Sequence, residues 1–410
     1  MRTMLMAAVL AILVPTWAGA EAESQSLSYE ELAREALSKG PEAAMIGATL
    51  ADRAAEAFST KVKENPVLDL KAEFPLNPPS VGREDTGVGV TLSQAIRPSD
   101  FGQRTELAKL IQETADSEQV LALNELLANL SVLYARAWQF QETEKLLKDA
   151  RGGVTRILNR VTGPQASGAF GEGDVQLLRS ELEQFEADGI AARGDAARAL
   201  AELTRSSGVA LSGRVLKKPT NNLSVSREDL DRLVRESKLP IQRRFALLKE
   251  VSKKRLEVAR ADAFPPVSPQ IGFSHHDDGT DQIVAGISIP LSIFNRNQAE
   301  QMRAQGELSV AEQGERYATS DAIVAEALQL YDAAIDTGRQ LAMYETKVLP
   351  AKARAVEAYY RQFEGGGASA FQLWQAQREL NDSRRRSLEL ISALADVRAK
   401  LVTLVGQPQF

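Results

Sequence analysis

After Pro98 the chain carries no proline until Pro164, and through this run Leu123, Leu126, Leu130, Leu133, Ala137 and Phe140 step by threes and fours. That spacing is a heptad-like seam, so the stretch reads as one helix packed along its length. About 65 residues at 1.5 Å each reach roughly 100 Å, too long for a globular domain. Ala, Leu, Glu, Gln and Arg dominate while aromatics are only 6 %, a composition that suits long packed helices.

The run ends in a glycine-rich break, "RVTGPQASGAFGEGD", and helix resumes from Asp174 to about Arg205. A second helix of this kind is expected from near Asn295 to Pro350, its seam carried by Val324, Leu328, Tyr331 and Ile335. It continues to Phe363, breaks at "EGGGAS" and returns from Ala370 to about Val405. The halves align at a period of roughly 196 residues. "GVTLSQAI" at Gly89 matches "GISIPLSI" at Gly286, and "DVQLLRSELEQ" at Asp174 matches "AFQLWQAQREL" at Ala370. The expected organisation is a first repeat over 21–225, with its tip near 164–173, and a second over 226–410, with its tip near 364–369. Shorter helices over Ser28–Lys61 and Ser226–Ala263, the latter broken at Pro240, complete the height of each long helix. A short equatorial segment is expected over 206–225.

Each half also holds one hairpin, over 66–94 and 267–291. Leu68, Leu70, Ala72 and Phe74, then Val88, Val90 and Leu92, alternate with polar or glycine residues. Ile271 and Phe273 alternate with Gly272 and Ser274, and Ile283, Ala285, Ile287 and Ile289 with Val284, Gly286 and Ser288. The strands have the length of tilted transmembrane β-strands. Four strands cannot close a barrel, and open edges are not tolerated in lipid. Three copies give twelve, an even number that can close around water. The apolar faces would then touch hydrocarbon. The alternative is that the hairpins cover a soluble helical core, since periodicity alone does not say what the apolar face meets.

The first residues, "MRTMLMAAVLAILVPTWAGA", have the basic start, short apolar run and small-residue cleavage site of a secretory signal peptide over 1–20. No cysteine is present, so stability has to come from packing rather than disulfides. The net charge of −6 argues against nucleic acid as a partner.

At this point the chain resembles the TolC-type outer membrane factors, especially their CzcC-like branch. The most specific matches are "ISIPLSIFNRNQAEQMRAQGEL" from Ile287, "VLPAKARAVEAYYRQFEGGGASAFQLWQAQREL" from Val348 and the terminal "ALADVRAKLVTLVG". "NPVLDLKAEF" and "SQAIRPSDFGQR" are weaker matches in the first half. The resemblance implies a mainly α protein with a membrane β-barrel: a homotrimer with a twelve-stranded barrel (four strands per chain), a long α-helical coiled-coil tunnel and a mixed equatorial belt. It implies an outer-membrane location and partners in a periplasmic membrane-fusion adaptor and an inner-membrane pump. The tips, Gly168, Gly171 and Gly173 in the first half and Gly365, Gly366, Gly367, Ala368 and Ser369 in the second, would dock the adaptor. Relatives often place carboxylates just after the second tip. The matching positions here are Gln372 and Gln375, so Glu172 and Asp174 of the first tip are the candidates for negative charge at the tunnel entrance. Asp174 is equally readable as a helix cap.

The sequence points to no enzyme. Its two histidines, His275 and His276, are adjacent, and neighbours on a strand face opposite ways, which disfavours a metal site. "GAFGEG" follows a helix rather than a strand and lacks the Lys-Ser/Thr of a phosphate loop. No cofactor is expected. The function expected is a passive exit duct of a tripartite efflux system. The alternatives are a soluble periplasmic coiled-coil scaffold or adaptor, and a duct for one-step protein secretion.

Overall fold

The computed structural model describes residues 26–73, 86–163, 172–220, 225–236, 239–277 and 279–406. The expected signal peptide, Phe74, Gly168 and Gly171 lie outside the described residues. Helix α1 (Tyr29–Lys39) starts at a capping box in which Ser28 and Glu31 satisfy each other's backbone N–H groups. It ends at Gly40, and α2 (Pro41–Lys61) begins on a proline, whose missing N–H costs nothing in a first turn. Strands β1 (Val67–Glu73) and β2 (Gly87–Ser93) follow. After a single 3-10 turn at 98–100, α3 runs from Gln103 to Thr162, 60 residues or about 90 Å.

Helix α4 (Glu172–Ser207) returns for 36 residues. Then come α5 (Arg227–Arg235), α6 (Pro240–Ala261), β3 (Ser268–His276) and β4 (Asp281–Ser288). The second long ascent is not one helix, contrary to the expectation from near Asn295 to Pro350. It is divided into α7 (Gln298–Ala318), α8 (Asp321–Met343), a π-turn over 344–348 and α9 (Leu349–Glu364). The first break has a local cause. Ser320 donates to the Tyr317 carbonyl from both its Oγ, at 2.7 Å, and its N–H, at 3.1 Å, so it takes up a carbonyl that a continuing helix would offer to residue 321. At the π-turn the Leu349 N–H reaches back to the Tyr344 carbonyl, and Pro350, just beyond, has no N–H to donate. Helix α10 (Ala370–Val405) closes the chain with 36 residues, the same length as α4.

Helix α3 is the spine, packing on α2, α6, α4 and α10. Four apolar clusters are strung along it. Nearest the sheet, Leu107 and Ile111 meet Ala57 of α2 and Val251 and Val258 of α6. A second cluster joins Leu230 and Val234 of α5 to Ile323 and Val324 of α8 and Leu401 and Val405 of α10. At mid-height Leu126, Leu130, Leu133 and Ala137, four of the six residues of the expected seam, bury with Tyr134 against Leu203 of α4 and Ile391 of α10. At the far end Val154, Ile157 and Val161 meet Leu178, Phe363, Leu373 and Trp374. Each fully buried leucine contributes about 1.5–3 kcal/mol.

The equatorial belt is tied at mid-height. Leu27 forms a parallel bridge with Leu216. The buried Tyr134 hydroxyl lies 2.7 Å from the Leu27 carbonyl and 2.8 Å from that of Lys217. Helix α4 extends through Ser207, so the irregular belt begins two residues later than the 206–225 expected. Among the described residues no helix is long and apolar enough to cross a membrane.

Candidate membrane face, lumen face and tunnel entrance

The four strands form one antiparallel sheet in the order β1-β2-β3-β4. Directly paired residues share a face, so the register sorts every side chain. Leu68, Leu92, Ile271 and Ala285 form one cross-strand row, and Leu70, Val90, Phe273 and Ile283 the next. Val88 and Ile287 lie on the same face, and Ile289, just past β4, keeps its phase. The register thus brings all the described residues expected to face lipid onto one side. At the hairpin end that side finishes in His275 and Asp281, whose Nδ1 and Oδ1 are 2.7 Å apart. Both histidines belong to the end of β3, and the turn beyond it is carried by Gly279 at φ 83°.

Burial on this sheet is inverted. Leu70 is 78 % exposed and Ile283 77 %, whereas Thr91, Gln270, Ser274 and His276 on the other side are half-buried and Gly272 is buried. A sheet covering a soluble core would show the reverse. Among the described residues the apolar face is exposed rather than packed on the helices, so the covered-core alternative fails on this geometry.

The sheet is joined to the helices by a small ionic knot that sequence reasoning missed. The Ile96 and Val267 backbones exchange two hydrogen bonds of 2.9 and 3.0 Å. Below them Ser99, fully buried, donates to Asp262 Oδ1 at 2.5 Å. Arg104 donates to Ser99 Oγ and to Asp262 Oδ2, both at 2.6 Å. The start of α3 is thereby fastened to the end of α6. No local pattern announces this, because the partners are 158 and 163 residues apart.

The equator holds a cavity of about 370 Å³ between α1, α3 and α10, lined by Tyr29, Leu127, Tyr134, Arg398 and Val402 among others. Burial, with a further push from Glu30, moves the Tyr29 phenol up to about 12. Burial likewise pulls the Arg398 guanidinium below its usual value.

At the far end the second tip is a tight turn over Gly365–Gly367. Gly365 N–H donates to the Arg361 carbonyl, Gly366 N–H to Phe363 and Gly367 N–H to Gln362, at 2.8–3.2 Å. Gly366 has φ 76°, which an L side chain adopts only at a cost. Ser369 caps α10 reciprocally with Gln372: Gln372 N–H donates to Ser369 Oγ at 3.2 Å and Ser369 N–H to Gln372 Oε1 at 2.9 Å. Gln372 is therefore spent on holding the turn. Gln375 is exposed. Trp374 is buried under the turn, its ring 5.3 Å from Phe371 and covered by the Arg378 guanidinium at 5.4 Å.

In the first tip α4 begins at Glu172, two residues before the Asp174 expected. Gly173 is thus helical rather than part of the turn, and Asp174 sits inside the first turn rather than capping it. Glu172 is exposed and Asp174 half-buried, and both carboxylates suit the positive end of the helix dipole. Val175 and Leu178 of this end share a cluster with Phe363, Ala368 and Ala370 of the second tip, so the two tips lie side by side.

The chain thus combines an outward apolar ribbon, a knot at its base, a mid-height belt and paired tips on long helices. Residues 245–407 match the family model described as outer membrane efflux protein. The match lies in the second half of the chain, and the fold of the whole is that of solved outer-membrane channels. The outer membrane protein VceC of Vibrio cholerae superposes with a TM-score of 0.72 at 15 % identity, covering 93 % of this chain and 97 % of that one. The Campylobacter jejuni CmeC outer membrane channel gives 0.72 at 15 %, over 98 % and 94 %. The open state of the Neisseria gonorrhoeae MtrE outer membrane channel gives 0.70 at 14 %, over 93 % and 89 %. No curated protein matches the chain by sequence.

Proposed function

We propose that three copies of the chain close a twelve-stranded barrel and a periplasmic tunnel, forming the passive exit duct of a tripartite efflux system. An inner-membrane pump supplies the energy, and a periplasmic membrane-fusion adaptor joins pump to duct at the tips. The observation that carries this reading is the sheet whose apolar side faces outward with both edge strands unpaired. Edges cannot be left open in hydrocarbon, and a second and third copy satisfy them. Recovery of a detergent-dependent trimer from the outer membrane is the expected result. A stable monomer recovered in plain buffer would overturn it.

The tip residues Gly173, Gly365, Gly366, Gly367, Ala368 and Ser369 form the adaptor-docking surface in this reading. Glu172 and Asp174 supply negative charge at the entrance, with Gln375 beside them. The exposed glycines permit close backbone approach. Replacing Gly366 by valine imposes a positive φ on a branched residue, at a local cost of about 1–3 kcal/mol. Crosslinking to the adaptor and efflux-dependent resistance should fall while the trimer band on unheated gels persists. Loss of the trimer instead would assign Gly366 to folding.

A further inference from the structure

The inner side of the sheet has an uneven distribution of charge. In register from the hairpin end inward, its rows read Glu73–Gly87–His276, then Lys71–Gly89–Ser274–Gln282, then Asp69–Thr91–Gly272–Val284, then Val67–Ser93–Gln270–Gly286. The formal charges on this side all stand on β1, as Asp69, Lys71 and Glu73, and all three are exposed.

The other strands keep low. Each row contains one glycine, and polar neighbours lie across several of them. A Cβ added to Gly272 would come within 2.7 Å of Thr91 Oγ1, one on Gly87 within 2.9 Å of His276 Nδ1, and one on Gly286 within 3.0 Å of Gln270 Nε2. Neutral polar side chains are thus laid flat against the wall, and the β1 column stands beside a shallow cavity of about 240 Å³ that Lys71, Glu73, Gly89, Ser274 and His276 help to line.

We propose that Asp69, Lys71 and Glu73 are the charge selector of the barrel bore, with Lys71 limiting its preference for cations. The inference rests on the duct reading. Closed by threefold symmetry, the column becomes three stacked rings, acidic, basic and acidic, about 7 Å apart along the strand. That spacing is shorter than the screening length of about 8–10 Å at physiological salt, so the Lys71 ring offsets both neighbours. Each copy contributes one net negative charge. Removing Lys71 doubles it, which favours passage of cationic solutes over anionic ones.

The absence of cysteine makes a clean reporter available. Ser274→Cys places one thiol on the bore side, two strands from Lys71. Trimers carrying it are treated with a cationic and an anionic methanethiosulfonate of similar size, in about 0.01 M salt, where screening reaches roughly 30 Å. Adding Lys71→Gln should raise the cationic-to-anionic rate ratio about threefold or more, Asp69→Asn should lower it, and Lys71→Arg should leave it unchanged. A ratio unmoved by Lys71→Gln overturns the selector while leaving the duct intact. Protection of Ser274→Cys from both reagents, with Phe273→Cys labelled instead, overturns the assignment of faces and the duct reading with it.

Discussion

Replacing Ile271 by arginine should cost roughly 2–4 kcal/mol of barrel stability, and far less should follow from arginine at Gln270, one residue away. Ile271 lies in the row Leu68–Leu92–Ile271–Ala285, with an apolar row on the hairpin side and Pro269 and Ile287 on the other. That position is near the middle of the apolar band, where lipid offers a guanidinium no partner. Gln270 shares its row with Ser93 and Gly286 on the wet side, where an added charge alters conduction rather than insertion. Urea-dependent unfolding from lipid vesicles, read by the heat-modifiable gel shift, measures both. Equal losses at the two positions would contradict the register.

The second large effect is expected at the base of the sheet. Asp262→Ala removes the acceptor of both Ser99 and Arg104. Breaking a buried pair commonly costs about 3–5 kcal/mol. Here the partner side chains remain 17 and 19 % exposed and Asp100 stands 3.7 Å from Arg104, so about 2–4 kcal/mol is the expected loss. Asp262→Asn keeps one acceptor oxygen and should recover part of it. The readout is the temperature at which trimers dissociate in detergent. Insensitivity to both changes would mean that the Ile96–Val267 bridge alone holds the junction.

The elements that could be read from the chain were those whose information is local. The seam of α3, the alternation of β3 and β4, the "GGG" turn and the Pro240 start of α6 each carry their own signal. The break at Thr319–Ser320 was also written locally, as Thr-Ser-Asp before an apolar run. It was masked because Ala318 and Ile323 continue the buried stripe across it. Gln372 was aligned with positions that carry carboxylates in relatives, whereas "SAFQ" is itself a capping-box spacing. The knot was out of reach for a different reason. Ser99, Arg104 and Asp262 are ordinary surface residue types until topology brings two distant helix ends together.

The wide turn at 344–348 has a geometric consequence for everything beneath it. An ordinary helix advances about 100° per residue, and a π-turn absorbs one extra residue without advancing the helix by that amount. It therefore turns α9 by about a quarter of a circle relative to α8. Above it Tyr331 and Leu341 point into the bundle, and below it Phe363 still finds Trp374 and Leu373 at the tip. A straight continuation would swing Phe363 about a quarter of a circle toward water and leave the end of α9 without its anchor on α10.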